Sequence, residues 1–213
     1  MSAIEAQKRA AAEEAAALVE DGMIVGLGTG STVAYLLPAL AGRGLSLRCI
    51  STSPQTEAAA LALGLAVEQF DAVDRLDIAI DGADQVDPAG WVVKGGGAAH
   101  TREKVVARAS DRFVVIVSSD KLVEAIAPPI PLELLPFGLP ATLRALGVAA
   151  LRGGPPSPDG GVIADYLGPV EDVDELAERL SAIPGVVEHG LFPPELVSEV
   201  LVGRESRVDR LVP

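Results

Sequence analysis

Lys94 and Glu103 stand on either side of three consecutive glycines in VVKGGGAAHTREKVV, residues 92–106. A carboxylate can serve as a base and a lysine ammonium can balance negative charge, so the two are candidates for chemistry if the fold brings them to one site. Each glycine inside a helix costs roughly 1 kcal/mol relative to alanine, so Gly95, Gly96 and Gly97 suggest another use. They let bare backbone approach a ligand and can expose a helix N-terminus. On a helix over 97–109, Glu103 shares a face with Ala99 and Ala107, four residues either way. Small apolar neighbours would desolvate the carboxylate, raise its pKa and strengthen it as a base. The alternative is a solvated glutamate beside Arg102 and Lys104. His100 reads as a capping or packing histidine.

A second constellation is GLGTGST, residues 26–32, where an apolar strand passes into a helix. Glycines there admit a ligand, while the free N–H groups and positive end of the helix attract an anion. It lacks the lysine of a P-loop before Ser31, and Ser31 stands where the third glycine of a dinucleotide fingerprint would be. A small phosphate monoester fits better than a dinucleotide, and a tight turn with a hydroxyl cap is the bland reading. DGAD, residues 81–84, ends another strand, which puts Asp81 and Asp84 at a ligand edge or simply in a turn. The chain has 13 arginines but only four lysines, at 8, 94, 104 and 121. Lys94 and Lys121 both follow strands, which suggests sites that need a compact ammonium rather than a guanidinium fork.

These residues need a scaffold, and the apolar pattern describes one. Helix-forming composition covers 3–20, 31–42, 53–64 and 97–109, alternating with short strands at 23–28, 45–52, 76–81, 91–94 and 111–120. That alternation predicts a mostly parallel sheet covered on both faces. The proline-rich stretch 127–140 links to a second unit that reads strand (130–135), helix (138–147), strand (148–152), strand (162–167), helix (171–182), strand (185–190), the split βαβ order. The expected fold class is therefore α/β, a Rossmann-like mostly parallel sheet domain over 1–128 and 204–213, plus a smaller α+β, ferredoxin-like domain over 129–203. The tail is expected to return to the first sheet.

Composition excludes several partners. A net charge of −13 opposes nucleic acid and anionic membranes, and four Phe, two Tyr and one Trp leave few platforms for stacked bases. Cys49 is the lone cysteine, and with His100 and His189 far apart there is no His/Cys cluster for a metal. The opening residues have no apolar centre of a signal peptide, and no apolar run is long enough to span a bilayer. A soluble cytoplasmic protein is the expectation.

Taken in order and spacing, GLGTGSTV, DIAIDGADQVD, VVKGGGAAHTREKVVA and FVVIVSSDKLV resemble the ribose-5-phosphate isomerases of the A type, and PIPLELLP and IPGVVEHGLF extend the resemblance over nearly the whole chain. The resemblance implies cofactor-free, metal-free interconversion of ribose 5-phosphate and ribulose 5-phosphate in the pentose phosphate pathway. It implies that Thr29, Gly30, Ser31 and Thr32 line the phosphate end with Lys121, and that Lys8 assists from the first helix. Asp81 and Asp84, with Gly82 and Ala83 between them, would contact the sugar and help open its ring. Glu103 would move the proton between C2 and C1, while Lys94 and the N–H groups of Gly95, Gly96 and Gly97 stabilise the enediolate. A homodimer or homotetramer is implied as well, and the apolar character of the second unit makes it the expected interface. The chain departs from the family pattern at Gln85, usually Glu, and at His100, usually apolar. The competing readings are a sugar-phosphate-sensing domain without catalysis, which would bring a DNA-binding segment the acidic chain lacks before Gly26, and an acyl-CoA transferase, which would need a larger basic groove.

Overall fold

The computed structural model describes residues 2–213. Helix α1 (Ala3–Ala17) leads into strand β1 (Ile24–Leu27), helix α2 (Val33–Ala41), β2 (Arg48–Ser51), α3 (Pro54–Ala62) and β3 (Ile78–Asp81). A hairpin of β4 (Gln85–Val86) and β5 (Val92–Val93) precedes α4 (His100–Ala109) and β6 (Phe113–Ser118). The smaller unit runs β7 (Ile130–Leu134), α5 (Leu139–Leu146), β8 (Ala149–Leu151), β9 (Val162–Tyr166), α6 (Val173–Ser181) and β10 (Val186–His189). Then β11 (Leu191–Phe192), β12 (Glu199–Gly203) and β13 (Val208–Leu211) close the chain.

The main sheet has the order β13-β12-β6-β3-β1-β2, parallel except for edge strand β13. Its central strands β1, β3 and β6 are mostly apolar because both faces are covered, whereas edge strand β13 is half-buried to exposed. In β6, Val114 and Ile116 join the core beneath α1 and α2, while Val115 and Val117 join the core shared with Val106 and Ala107 of α4. Strand β1 lies between β2 and β3, so successive crossovers leave it in opposite directions. The crevice beyond the carboxyl ends of β1 and β3 is the place where such sheets bind ligands.

The smaller unit is antiparallel with the order β10-β7-β9-β8, the ferredoxin-like arrangement expected from its element order. Its helix α6 starts cleanly because Asp172 accepts the Glu175 N–H at 3.0 Å. Leu176 and Leu180 bury one face of that helix against Leu132, Leu134 and Ala164.

Three expectations need correction. Residues 91–94 do not extend the parallel sheet: β5 pairs antiparallel with β4 and β11 in a separate three-stranded sheet. The turn between β4 and β5 is too short for the crossover that parallel neighbours require, and Asp87 closes it by accepting the Trp91 N–H at 2.9 Å. Helix α4 begins at His100 rather than 97, because Gly95 (φ 113°) and Ala98 (φ 60°) adopt conformations no α-helix contains. The tail VSEVLVGRESRVDRLV does return to the main sheet as two strands, but β12 pairs with β6 from Glu199 onward, ahead of the boundary placed at 204.

The small sheet fastens the two units together. Val92 and Phe192 belong to the core under α4, whereas Trp91, Val93 and Leu191 belong to the core of the smaller unit. Lys94 follows directly, with its N–H held by Gly190 O at 2.9 Å. Packing on two cores fixes where its side chain starts.

Candidate active site

A cavity of about 250 Å³ opens beyond the carboxyl ends of β1, β3 and β6. It brings together Thr29, Gly30, Ser31 and Thr32 after β1, Gly82, Ala83 and Asp84 after β3, Lys94 to Gly97 after β5, Glu103 on α4, and Lys121 after β6. Lys8 reaches it from α1. Three of the chain's four lysines therefore line one small cavity. The fourth, Lys104, lies behind it, bonded to Glu188 and to His189 O at 2.7 Å each.

At one end the loop after β1 runs into α2, whose first turn has no acidic residue and whose Thr32 makes no side-chain cap bond. The positive end of the helix thus faces the cavity uncapped. Gly28 is required by its neighbour: a Cβ there would fall 1.9 Å from Asp81 Cγ. Thr29 is held by its N–H to Asp81 Oδ1 at 3.0 Å and its hydroxyl to Thr52 Oγ1 at 2.7 Å. Thr56 Oγ1 donates to Gly28 O at 2.9 Å. The STSPQT segment is therefore a brace for the glycine loop, a role its sequence hinted at only through clustered hydroxyls directly after a strand. Gln7, beside Lys8, accepts the Ser119 N–H at 2.9 Å and ties α1 to the turn that carries Lys121.

At the other end Lys94 is buried between two carboxylates. Its Nζ lies 2.9 Å from Asp81 Oδ2 and 3.2 Å from Glu103 Oε2, and it donates to Gly82 O at 2.5 Å. Burial alone would pull the ammonium pKa down, but Asp81 and Glu103 together outweigh it and hold the group above its ordinary value. Glu103 is 3 % exposed, flanked on its face by buried Ala99 and Ala107. Burial first, then repulsion from Asp81, raises its pKa to about 8 against the attraction of Lys94. Its Oε2 has charge contact with Lys94 but no hydrogen-bond partner among the described residues. The reading of a solvated glutamate is excluded, and its basic neighbours are engaged elsewhere, Arg102 with Asp159 and Lys104 with Glu188.

Asp81 is placed differently from the sugar contact expected of it. It is buried behind the cavity, with Oδ1 accepting the Thr29 and Gly82 N–H groups at 3.0 and 2.7 Å and Oδ2 facing Lys94. Burial pushes its carboxyl pKa up, opposed by Lys94 and the two N–H donors. Asp84, by contrast, is exposed at the rim and accepts the Gly96 N–H at 2.8 Å. The glycine wall itself is enforced by crowding: with φ at 113°, Gly95 would need to fit a Cβ 2.6 Å from Pro131 and 2.7 Å from His100 Nδ1.

His100 is a packing residue, fully buried behind that wall, and burial lowers its pKa to about 4, so it is neutral at neutral pH. Gln85 uses both ends of its amide on Ala127, accepting its N–H at 2.9 Å and donating to its carbonyl at 2.7 Å. A carboxylate there could satisfy only the first. Among the described residues no group of three or more His, Cys, Asp or Glu is disposed to hold a metal ion.

A family model for ribose 5-phosphate isomerase A (phosphoriboisomerase A) matches residues 48–207. The ribose-5-phosphate isomerase A of Gluconobacter oxydans is 44% identical over 97% of this chain and 96% of its own. The chain belongs to the ribose 5-phosphate isomerase A family. Among solved structures, ribose 5-phosphate isomerase A from Methanocaldococcus jannaschii superposes with a TM-score of 0.92 at 36% identity, covering 97% of this chain and 98% of that one. A D-ribose-5-phosphate isomerase in complex with phospho-erythronic acid matches with a TM-score of 0.93 at 35% identity over 100% of both chains. Membership in the isomerase A family thus spans both units. No described helix is long and apolar enough to cross a membrane.

Proposed function

We propose that this chain interconverts ribose 5-phosphate and ribulose 5-phosphate in the non-oxidative pentose phosphate pathway, by proton transfer through an enediolate. The observation that carries the reading is Glu103: a buried carboxylate 3.2 Å from the Lys94 ammonium, its pKa raised to about 8, in a cavity lined by three lysines.

The phosphate sits on the uncapped N-terminus of α2 and the loop Thr29 to Thr32, neutralised by Lys121 and Lys8. Asp84 at the rim takes hydroxyl protons of the sugar and assists ring opening. With the open-chain aldehyde bound, Glu103 removes the proton from C2, the C–H electrons form the C1–C2 double bond, and the C1 carbonyl electrons move onto O1. Lys94 and the Gly97 N–H of the glycine wall stabilise that oxyanion. The C2 hydroxyl proton then passes to O1, its O–H electrons form the C2 carbonyl, and the C1–C2 double-bond electrons take the proton back from Glu103, so that C1 becomes the hydroxymethyl carbon of the ketose. A base of pKa near 8 is well matched to this exchange, because it both takes and returns a proton near neutral pH. Asp81 acts at one remove, as the buried counterion that holds Lys94 charged and aimed.

Purified, chelator-treated protein incubated with ribose 5-phosphate should form ribulose 5-phosphate. Tight binding without product would favour the sugar-phosphate sensor.

The chain is further proposed to work in the cytoplasm as a homodimer or homotetramer assembled through the smaller domain. Support comes from Phe137, 90% exposed, with Leu135, Val148, Leu151 and Val187 also exposed on that unit. A single-chain mass by light scattering at micromolar concentration would contradict it.

A further inference from the structure

Arg152 follows β8 in the smaller unit, and its guanidinium meets the glycine wall from behind. Nη1 donates to Gly95 O at 2.7 Å and lies 3.5 Å from Gly96 O. The remaining edge of the guanidinium forks onto Asp165 of β9, with Nε 3.1 Å from Oδ2 and Nη2 bonded to Oδ1. The pair is mostly buried, at 25% and 20% exposure.

A trans peptide directs its C=O and N–H to opposite sides. Where Arg152 holds the Gly95 carbonyl, the N–H of that same peptide is the one Gly96 donates to Asp84 Oδ2 at 2.8 Å. The next peptide has the same sense: its carbonyl, on Gly96, faces Arg152, so its N–H, on Gly97, points to the other side, where Gly97 lines the cavity. Three glycines in a row have wide backbone freedom, and a rotated peptide would present a carbonyl oxygen to the substrate where a donor is needed. Only one other hydrogen bond opposes rotation at Gly95 O among the described residues, the Ala98 N–H at 3.1 Å.

We propose that Arg152, anchored by Asp165, is a positioning residue for the isomerisation: it fixes the glycine wall so that the Gly97 N–H faces the reacting oxygens while the Gly96 N–H holds Asp84. The guanidinium suits this task because one rigid plane serves a carboxylate and two carbonyls together, which a lysine cannot do. Arg152 touches no substrate, and it makes the smaller unit part of the catalytic apparatus. The inference rests on the isomerase reading, in which the Gly97 N–H stabilises the enediolate and Asp84 serves the sugar.

The test compares Arg152→Ala, Arg152→Lys and Asp165→Asn with the wild type in ribose 5-phosphate turnover and in inhibition by phospho-erythronic acid, whose carboxylate places two oxygens at the reacting end. Arg152→Ala should lower kcat about 100-fold with KM within about 3-fold, and weaken the inhibitor more than the substrate. Arg152→Lys should recover part of the loss, and Asp165→Asn, which keeps the guanidinium but frees it, should lower kcat about 10-fold. Thermal unfolding of each variant reports whether the fold is intact, and if Arg152→Ala fails to fold, Asp165→Asn carries the test. Unchanged kcat in a folded Arg152→Ala, or in Asp165→Asn, would overturn the proposal. Glu103→Gln run in parallel separates the two ideas: its full activity would overturn the isomerase base, whereas its inactivity alongside an unaffected Arg152→Ala would overturn the role of Arg152 alone.

Discussion

Glu103 Oε2 lies 3.2 Å from Lys94 Nζ, an ammonium that it shares with Asp81 Oδ2 at 2.9 Å and Gly82 O at 2.5 Å. Lys94 attracts the Glu103 carboxylate, yet burial and repulsion from Asp81 outweigh that attraction and leave a base with a raised pKa.

A pH dependence of both rate and stability follows. Only the ionised form of Glu103 accepts a proton, so kcat/KM should rise with pH along a limb near 8. For stability, the folded-state pKa stands above the ordinary 4.5, so between 4.5 and about 8 the folded chain keeps a proton that the unfolded chain has lost. Stability from this group is complete below that window and is lost as pH rises through it. Urea unfolding should show wild type losing stability relative to Glu103→Gln by up to about 1.4 kcal/mol per pH unit within the window. Parallel pH dependences would contradict this.

Asp81→Asn separates the counterion role from substrate contact. Loss of the Asp81 charge removes a repulsion that raises the Glu103 pKa, and the limb of kcat/KM should move about one unit toward acid. A limb that stays in place, with KM alone increased, would return Asp81 to the sugar.

Lys121→Ala addresses the other end of the cavity. Lys121 is a partly exposed cation 4.0 Å from Asp120, with no tighter ion pair to replace among the described residues. KM for ribose 5-phosphate should rise about tenfold with kcat within a few-fold, and added salt should weaken wild-type binding more than that of the variant. An unchanged KM would count against the phosphate contact.

Much of this site was legible before any coordinates. The glycine loop after β1, DGAD after β3 and the lysine after β6 each follow a strand, and a parallel sheet gathers such strand ends at one edge. Ala99 and Ala107 around Glu103 correctly signalled an apolar helix face. What was not legible depended on contacts distant in sequence. That Thr29, Gly82 and Lys94 all contact the oxygens of Asp81 could not be read from DGAD. Likewise β5 reads as one more parallel strand until the Asp87 turn and the return of β11 claim it. The grip of Arg152 on Gly95 crosses 57 positions, and no local pattern marks it.

The most direct test of the central claim is deuterium exchange in D2O, followed by NMR of the sugar phosphates. Wild-type protein should introduce solvent deuterium at C1 of ribulose 5-phosphate in those turnovers in which the proton on Glu103 exchanges with D2O before it is returned, and folded Glu103→Gln should introduce none above the uncatalysed background. Deuterium incorporation by Glu103→Gln at the wild-type rate would contradict the account.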